Sequence, residues 1–180
     1  AYQQEIINKI KSAASANVRR PRLKLGLTPR DSGHFLTSEK ILAIGASTGG
    51  TEAIKDLLLQ LPADFPAILI TQHMPAGFTR TFAARLDRLC SMSVTEAVDN
   101  ERILPGHAYL APGDKHLTIK RSGADYRIVL DDRPRVSGHK PSVDVMFGSV
   151  AEVAGPNSVA VILTGMGRDG AIGIQAIAGQ

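Results

Sequence analysis

The sequence predicts an α/β fold, a doubly wound and mostly parallel sheet with one β-hairpin inserted, and three observations carry that prediction. Short apolar runs rich in branched residues recur at Ile41 to Ile44, Ala67 to Thr71 and Val159 to Leu163, with weaker ones at Ser93 to Ala97 and Ala108 to Leu110. Such runs are expected of strands buried on both faces. Stretches of helical periodicity separate them, and that alternation is the pattern of parallel strands joined by helical crossovers. Finally, Leu117 to Arg121 and Tyr126 to Leu130 flank Ser122-Gly123-Ala124-Asp125, which reads as two paired strands around a glycine turn. The architecture expected is Rossmann-like.

Taken in order, Tyr2 to Arg20 places Ile6, Ile7, Ile10, Ala13 and Ala14 at helical spacing, an amphipathic helix that Pro21 ends. No period persists from there to Ser38, so residues 1–38 read as a linker and residues 39–180 as the folded domain. Within the domain, helices are expected at Thr51 to Leu61, at Thr79 to Leu89 with Phe78, Phe82, Leu86 and Leu89 on one face, and at Val143 to Ala154. Ser142 is placed to cap the last of these. Asp131 to Pro141 is expected to be a charged loop.

At 180 residues and 43% hydrophobic content the chain can bury a sizeable core. No apolar stretch is long enough to span a membrane, and the polar start lacks the apolar centre of a signal peptide. The single cysteine, Cys90, cannot form an internal disulfide, which suggests a reducing, cytoplasmic setting. The net charge of +4 is carried by residues 1–40, where eight basic residues face three acidic ones. A basic tail with few aromatics argues for a solvated linker and against a nucleic-acid surface.

Gly45-Ala46-Ser47-Thr48-Gly49-Gly50 follows the first strand and opens the next helix. Such a turn can cradle a phosphate or present a serine as a nucleophile elbow. A Walker loop would require a lysine that Gly49-Gly50-Thr51 lacks. A dinucleotide site would require an acidic end to the second strand, which instead runs into Thr71-Gln72-His73. The residues after the other strands are His73, Asp114, His116 and Asp169, and an open parallel sheet delivers these to its carboxyl edge. Serine, imidazole and carboxylate together are what nucleophilic acyl transfer needs: a base for the weak hydroxyl and an acid to orient the base. Amides of Thr48 and of Gly165-Met166-Gly167 are candidate oxyanion donors. The chain order of serine, histidine and aspartate is not that of an ordinary α/β-hydrolase. Each residue has a plainer reading as well. Ser47 could cap the helix after it, His73 could be a surface or hydrogen-bonded loop histidine, Asp169 a helix-start or turn residue, and Asp114, a rival acid to go with His116 as rival base, part of the turn Pro112-Gly113-Asp114. His34, His107 and His139 lie in predicted loops without metal-ligand spacing, so no metal is assigned.

Five stretches in order, Ile44 to Gly50, Gln72-His73-Met74-Pro75, Ala111 to His116, Pro141-Ser142-Val143-Asp144 and Leu163 to Gly170, resemble the motifs of the chemotaxis protein-glutamate methylesterases, the CheB family. The resemblance implies hydrolysis of glutamyl methyl esters, and deamidation of certain glutamines, on methyl-accepting chemotaxis receptors, with no cofactor. Carried over by position, Ser47 is the nucleophile, His73 the base and Asp169 its orienter. Thr48 lies beside the nucleophile and Met166 at the oxyanion hole. It also implies an upstream receiver domain, for which residues 1–38 would be the linker. Family members continue past the helix in which this sequence ends, so an incomplete domain with an exposed edge at the strand ending at Leu163 is expected, and with it lowered stability. The alternative readings are a non-catalytic module that binds receptors or partners, and a phosphate- or nucleotide-binding domain.

Overall fold

The structure, a computed structural model, describes residues 40–180. The helix expected from Tyr2 to Arg20 and the linker reading of residues 1–38 lie outside the described residues. In chain order the elements are β1 (Ile41–Ala46), α1 (Gly50–Leu58), β2 (Ala67–Gln72), α2 (Phe78–Asp87), β3 (Ser93–Glu96), β4 (His107–Leu110), β5 (His116–Ser122), β6 (Asp125–Asp131), α3 (Val143–Ala154), β7 (Ser158–Ile162) and α4 (Ala171–Ala178). Five strands pair in the order β3-β4-β2-β1-β7, parallel throughout, with Ile41 opposite both Ala67 and Ser158. The hairpin β5-β6 forms a separate antiparallel pair around Gly123-Ala124.

Side chains alternate across the sheet and build a core on each face. Ile44, Ala46, Ile68, Ile70, Ala108 and Leu110 pack against Ile54, Leu58, Phe82, Ala83 and Leu86 of α1 and α2. On the other face Ile41, Ala43, Leu69 and Tyr109 meet Val143, Met146, Phe147 and Val150 of α3, together with Leu117, Ile119 and Ile128 of the hairpin. The Ser149 hydroxyl fastens the hairpin to α3, accepting from the Ile119 amide at 2.9 Å and donating to its carbonyl at 3.2 Å.

Three expectations need correction. The buried stripe of α2 is Thr79, Phe82, Ala83 and Leu86, whereas Phe78 and Leu89 are 65% and 49% exposed. The helix is rotated so that Thr79 faces inward, where its hydroxyl donates to Glu96 and accepts from the Gly113 amide. Phe78 is the first residue of the helix and Leu89 lies beyond its last. Helix α1 stops at Leu58, three residues short of the expected end, and Leu59 is exposed. Strand β7, expected from its apolar run to be buried on both faces and from the family resemblance to present an exposed edge, stands at an edge of the sheet among the described residues, with Val159 53% and Ile162 41% exposed.

Candidate active site

The sheet order reverses at β1: the chain first winds outward on one side through β2 and then returns to lay β7 on the other side of β1. Open α/β sheets form their crevice at such a point, beyond the strands' carboxyl ends. The three strands meeting there carry Ser47, His73 and the loop with Asp169. The Ser47 amide donates to the Thr164 carbonyl at 2.9 Å, and the Thr164 hydroxyl donates to the Thr48 carbonyl at 3.1 Å. The His73 amide donates to the Ala46 carbonyl at 3.1 Å. Two main-chain bonds and the Thr164 hydroxyl thus tie the three loops together.

The Ser47 hydroxyl lies 3.0 Å from His73 Nδ1, and His73 Nε2 lies 2.7 Å from Asp169 Oδ2. Asp169 does more than meet the imidazole. Its Oδ1 accepts from the Ser142 hydroxyl at 2.7 Å and the Asp144 amide at 3.0 Å, and its Oδ2 accepts from the Val143 amide at 2.7 Å. The carboxylate therefore sits on the amino end of α3, where amides and helix dipole favour negative charge. Burial works against that charge, but the His73 ring, the Ser142 hydroxyl and the amides of Asp144 and Val143 outweigh it and hold the carboxyl down at about 2. An acceptor-only carboxylate requires a proton on His73 Nε2. That leaves Nδ1 of the neutral ring as an acceptor aimed at the Ser47 hydroxyl.

The plainer readings can now be decided. Gly49, at φ 76°, is the N-cap of α1, and no side chain caps that end. Ser47 is therefore not a cap. Asp169 lies in the turn before α4, as one of its plainer readings has it, and does not start that helix, whose N-cap is Gly170. It belongs instead to the amino end of α3, where Ser142 caps as the sequence predicted, accepting from the Val145 amide. Asp114 and His116 are not brought into the hydrogen-bonded set. His116 is fully buried, with Nε2 donating to the Pro134 carbonyl at 3.1 Å and Nδ1 accepting from the Ser142 amide at 3.1 Å. It supports the cap that holds Asp169. Thr48 is exposed, and Met166 is 83% exposed at the rim.

Two residues without a sequence-based role join the site. Gln72 is buried at the end of β2, and its side-chain amide donates to the Ser47 carbonyl at 2.9 Å and the His73 carbonyl at 3.2 Å, clamping both loops. His139, from the loop before α3, lies parallel to the His73 ring with centroids 3.6 Å apart and planes 6° from coplanar. Gln72 could have been suspected, because a polar residue ending a fully apolar strand needs partners. His139 carried no sequence signal.

The cleft at Ser47 is lined by Ala46, His73, Val143, Gly165, Met166 and Asp169 and encloses about 120 Å³. That suits the end of a side chain and falls well short of the space a nucleotide-sized ligand fills. Among the described residues no group of three His, Cys, Asp or Glu could hold a metal ion. No helix among the described residues is long and apolar enough to cross a membrane.

Fold and site together define a class: a doubly wound parallel-sheet protein with a Ser-His-Asp set, in that chain order, at its carboxyl edge. Comparison with known proteins specifies it further. The model of the CheB methylesterase family matches residues 42–180, and the chain belongs to that family. It is 56% identical over 177 residues to the protein-glutamate methylesterase/protein-glutamine glutaminase of Salmonella typhimurium strain LT2, and equally so to that of Escherichia coli strain K12. Those matches cover 98% of this chain and 51% of each relative, so the chain spans about half their length. The crystal structure of the Thermotoga maritima CheB methylesterase catalytic domain superposes with a TM-score of 0.76 at 40% identity, covering 79% of this chain and 76% of that one.

Proposed function

We propose that this chain is a serine esterase that hydrolyses glutamyl methyl esters on methyl-accepting chemotaxis receptors and deamidates particular glutamines there. The observation that carries the reading is the hydrogen-bonded chain from Ser47 through His73 to Asp169. As the Ser47 oxygen attacks the ester carbonyl, its proton passes to His73 Nδ1. The carboxylate at Nε2 stabilises the resulting imidazolium. Amides at Thr48 and Met166 serve the oxyanion. Collapse of the tetrahedral adduct expels methanol, which takes the proton from Nδ1. Water then attacks the glutamyl ester on Ser47 by the same proton route in reverse and releases the glutamate side chain. With glutamine the first leaving group is ammonia. In this reading the setting is cytoplasmic, residues 1–38 are a linker, and an upstream receiver domain regulates the site.

Methanol release from receptor-bearing membranes carrying labelled methyl esters is the direct test. Release by the parent chain and none by Ser47→Ala is the expected result. A folded parent chain that releases none while still sedimenting with the membranes would favour a non-catalytic binding module.

A further prediction concerns Gly165. A Cβ there would lie 2.8 Å from Ser47 Cβ and 3.4 Å from the Ser47 amide nitrogen, so the nucleophile's own backbone would have to move. Gly165→Ala is expected to slow hydrolysis by at least about tenfold. Full activity in that variant would show that the turn tolerates displacement.

A further inference from the structure

Two hydrogen bonds hold the His73 ring, one at Nδ1 and one at Nε2. Together with the Cβ link these bonds define the plane of the ring, but they hold it only along one edge, so small tilts of its face remain open. Such tilts shift the N–H and lone-pair directions relative to Ser47 and Asp169, and proton transfer depends on that alignment. A flat group against the ring face removes this freedom. We propose that His139 is that group: a positioning residue whose ring, stacked on His73, holds the base in the plane of its two partners. The inference rests on the esterase reading of Ser47.

The chain is built to deliver His139 there. Residues 132–141 form a strap pinned near both ends. Asp132 accepts from Lys140 Nζ at 2.6 Å and pairs with Lys115 at 2.8 Å, and the Pro134 carbonyl accepts from buried His116. The strap folds back on itself through reciprocal bonds between Val136 and His139 of 3.0 and 2.9 Å. Ser137 and Gly138, both at positive φ, make the reversal. His139 is the residue that leaves this turn toward the site. Its neighbours in the adjoining cleft are Met74, Asp114, Arg135 and Lys140.

The electrostatics agree with a neutral ring in that place. Burial lowers the His139 pKa, and the His73 and Arg135 charges push the same way against the opposing pull of Asp169. A neutral face can also bear on the cation that His73 becomes during turnover, whereas a second cation at 3.6 Å would repel it.

The test compares His139→Ala and His139→Phe with the parent 180-residue chain, using a fluorophosphonate that phosphonylates an activated serine and Ser47→Ala as the blank. With alanine the maximal labelling rate should fall about tenfold, with half-saturation unchanged, and phenylalanine should recover it to within about threefold. If the alanine variant melts early, His139→Leu replaces it, filling space without a flat face. Parental labelling in the alanine or leucine variant would overturn the proposal, as would a phenylalanine variant as slow as either. If the parent chain does not label at all, the esterase reading fails first. The stack is then decided by imidazole nitrogen resonances: a single Nε2-protonated His73 in the parent and the phenylalanine variant, but averaged tautomers in the alanine variant, support it. An unchanged His73 spectrum in the alanine variant refutes it.

Discussion

Replacing Ser47 by alanine is expected to lower ester hydrolysis by roughly 10⁴- to 10⁶-fold, the loss seen when a member of a nucleophile-base unit is removed, while the fold is retained. The two halves of that expectation have separate grounds. Catalytically, nothing else near His73 Nδ1 can take the place of the hydroxyl 3.0 Å away. Structurally, the turn is held by main-chain bonds, from the Ser47 amide to Thr164 and from the Gly50 amide to the Ser47 carbonyl, and by the Gln72 clamp on that same carbonyl. Alanine keeps all three, so its melting temperature should stay within about 2 °C of the parent's, as for a partly exposed substitution worth under about 0.5 kcal/mol. Combining Ser47→Ala with His73→Ala should cost little beyond either alone, because the two act as one unit. Fully additive losses, or demethylation that survives Ser47→Ala, would remove the serine from the mechanism.

Most of the fold was legible because its signals are local. Branched apolar runs marked β1 and β2, helical spacing and Ser142 located α3 to the residue, and a glycine turn marked the hairpin. The errors fell where local pattern meets tertiary context. The phase of α2 was misread because Phe78 outranks Thr79 in hydrophobicity, yet Thr79 finds buried partners in Glu96 and Gly113. At the site, the topology rule brought Ser47, His73 and Asp169 to one edge, which no single residue could establish. What escaped was everything that depends on two distant segments meeting. The seating of Asp169 on the amino end of α3, the support of Ser142 by His116, and the stack of His139 on His73 join residues 25 to 66 positions apart. Loop geometry that brings such residues together leaves no periodic trace in sequence.

Asp169→Asn is expected to reduce hydrolysis by about 10³- to 10⁴-fold and, unlike Ser47→Ala, to destabilise the domain. Four donors converge on the carboxylate: the His73 ring, the Ser142 hydroxyl and the amides of Val143 and Asp144. Asparagine offers one oxygen and one NH₂. With the oxygen toward Val143 and His73, the NH₂ opposes the Asp144 amide and leaves a helix-end donor without its partner. With the amide flipped, His73 must present a lone pair at Nε2 and carry its proton on Nδ1, the wrong tautomer for drawing a proton from Ser47. Either orientation is costly, on the order of 1–3 kcal/mol for a buried group left unsatisfied. The pH dependence gives an independent check. The Asp169 carboxyl is held at about 2 in the folded chain against a usual 3.8, a difference of roughly 2 kcal/mol in favour of folding. That contribution is complete above about pH 4, where the group is ionised folded or unfolded. Below that the unfolded chain binds the proton first, and the contribution drains away until folded Asp169 also protonates near pH 2. The gap in stability between parent and Asp169→Asn should therefore be widest at neutral pH and narrow as the pH falls through this window. Denaturant melts at pH 7, 4 and 3 would measure it. A gap that stayed constant would mean that the carboxylate's charge does not hold the amino end of α3, and that the imidazole is oriented by something other than Asp169.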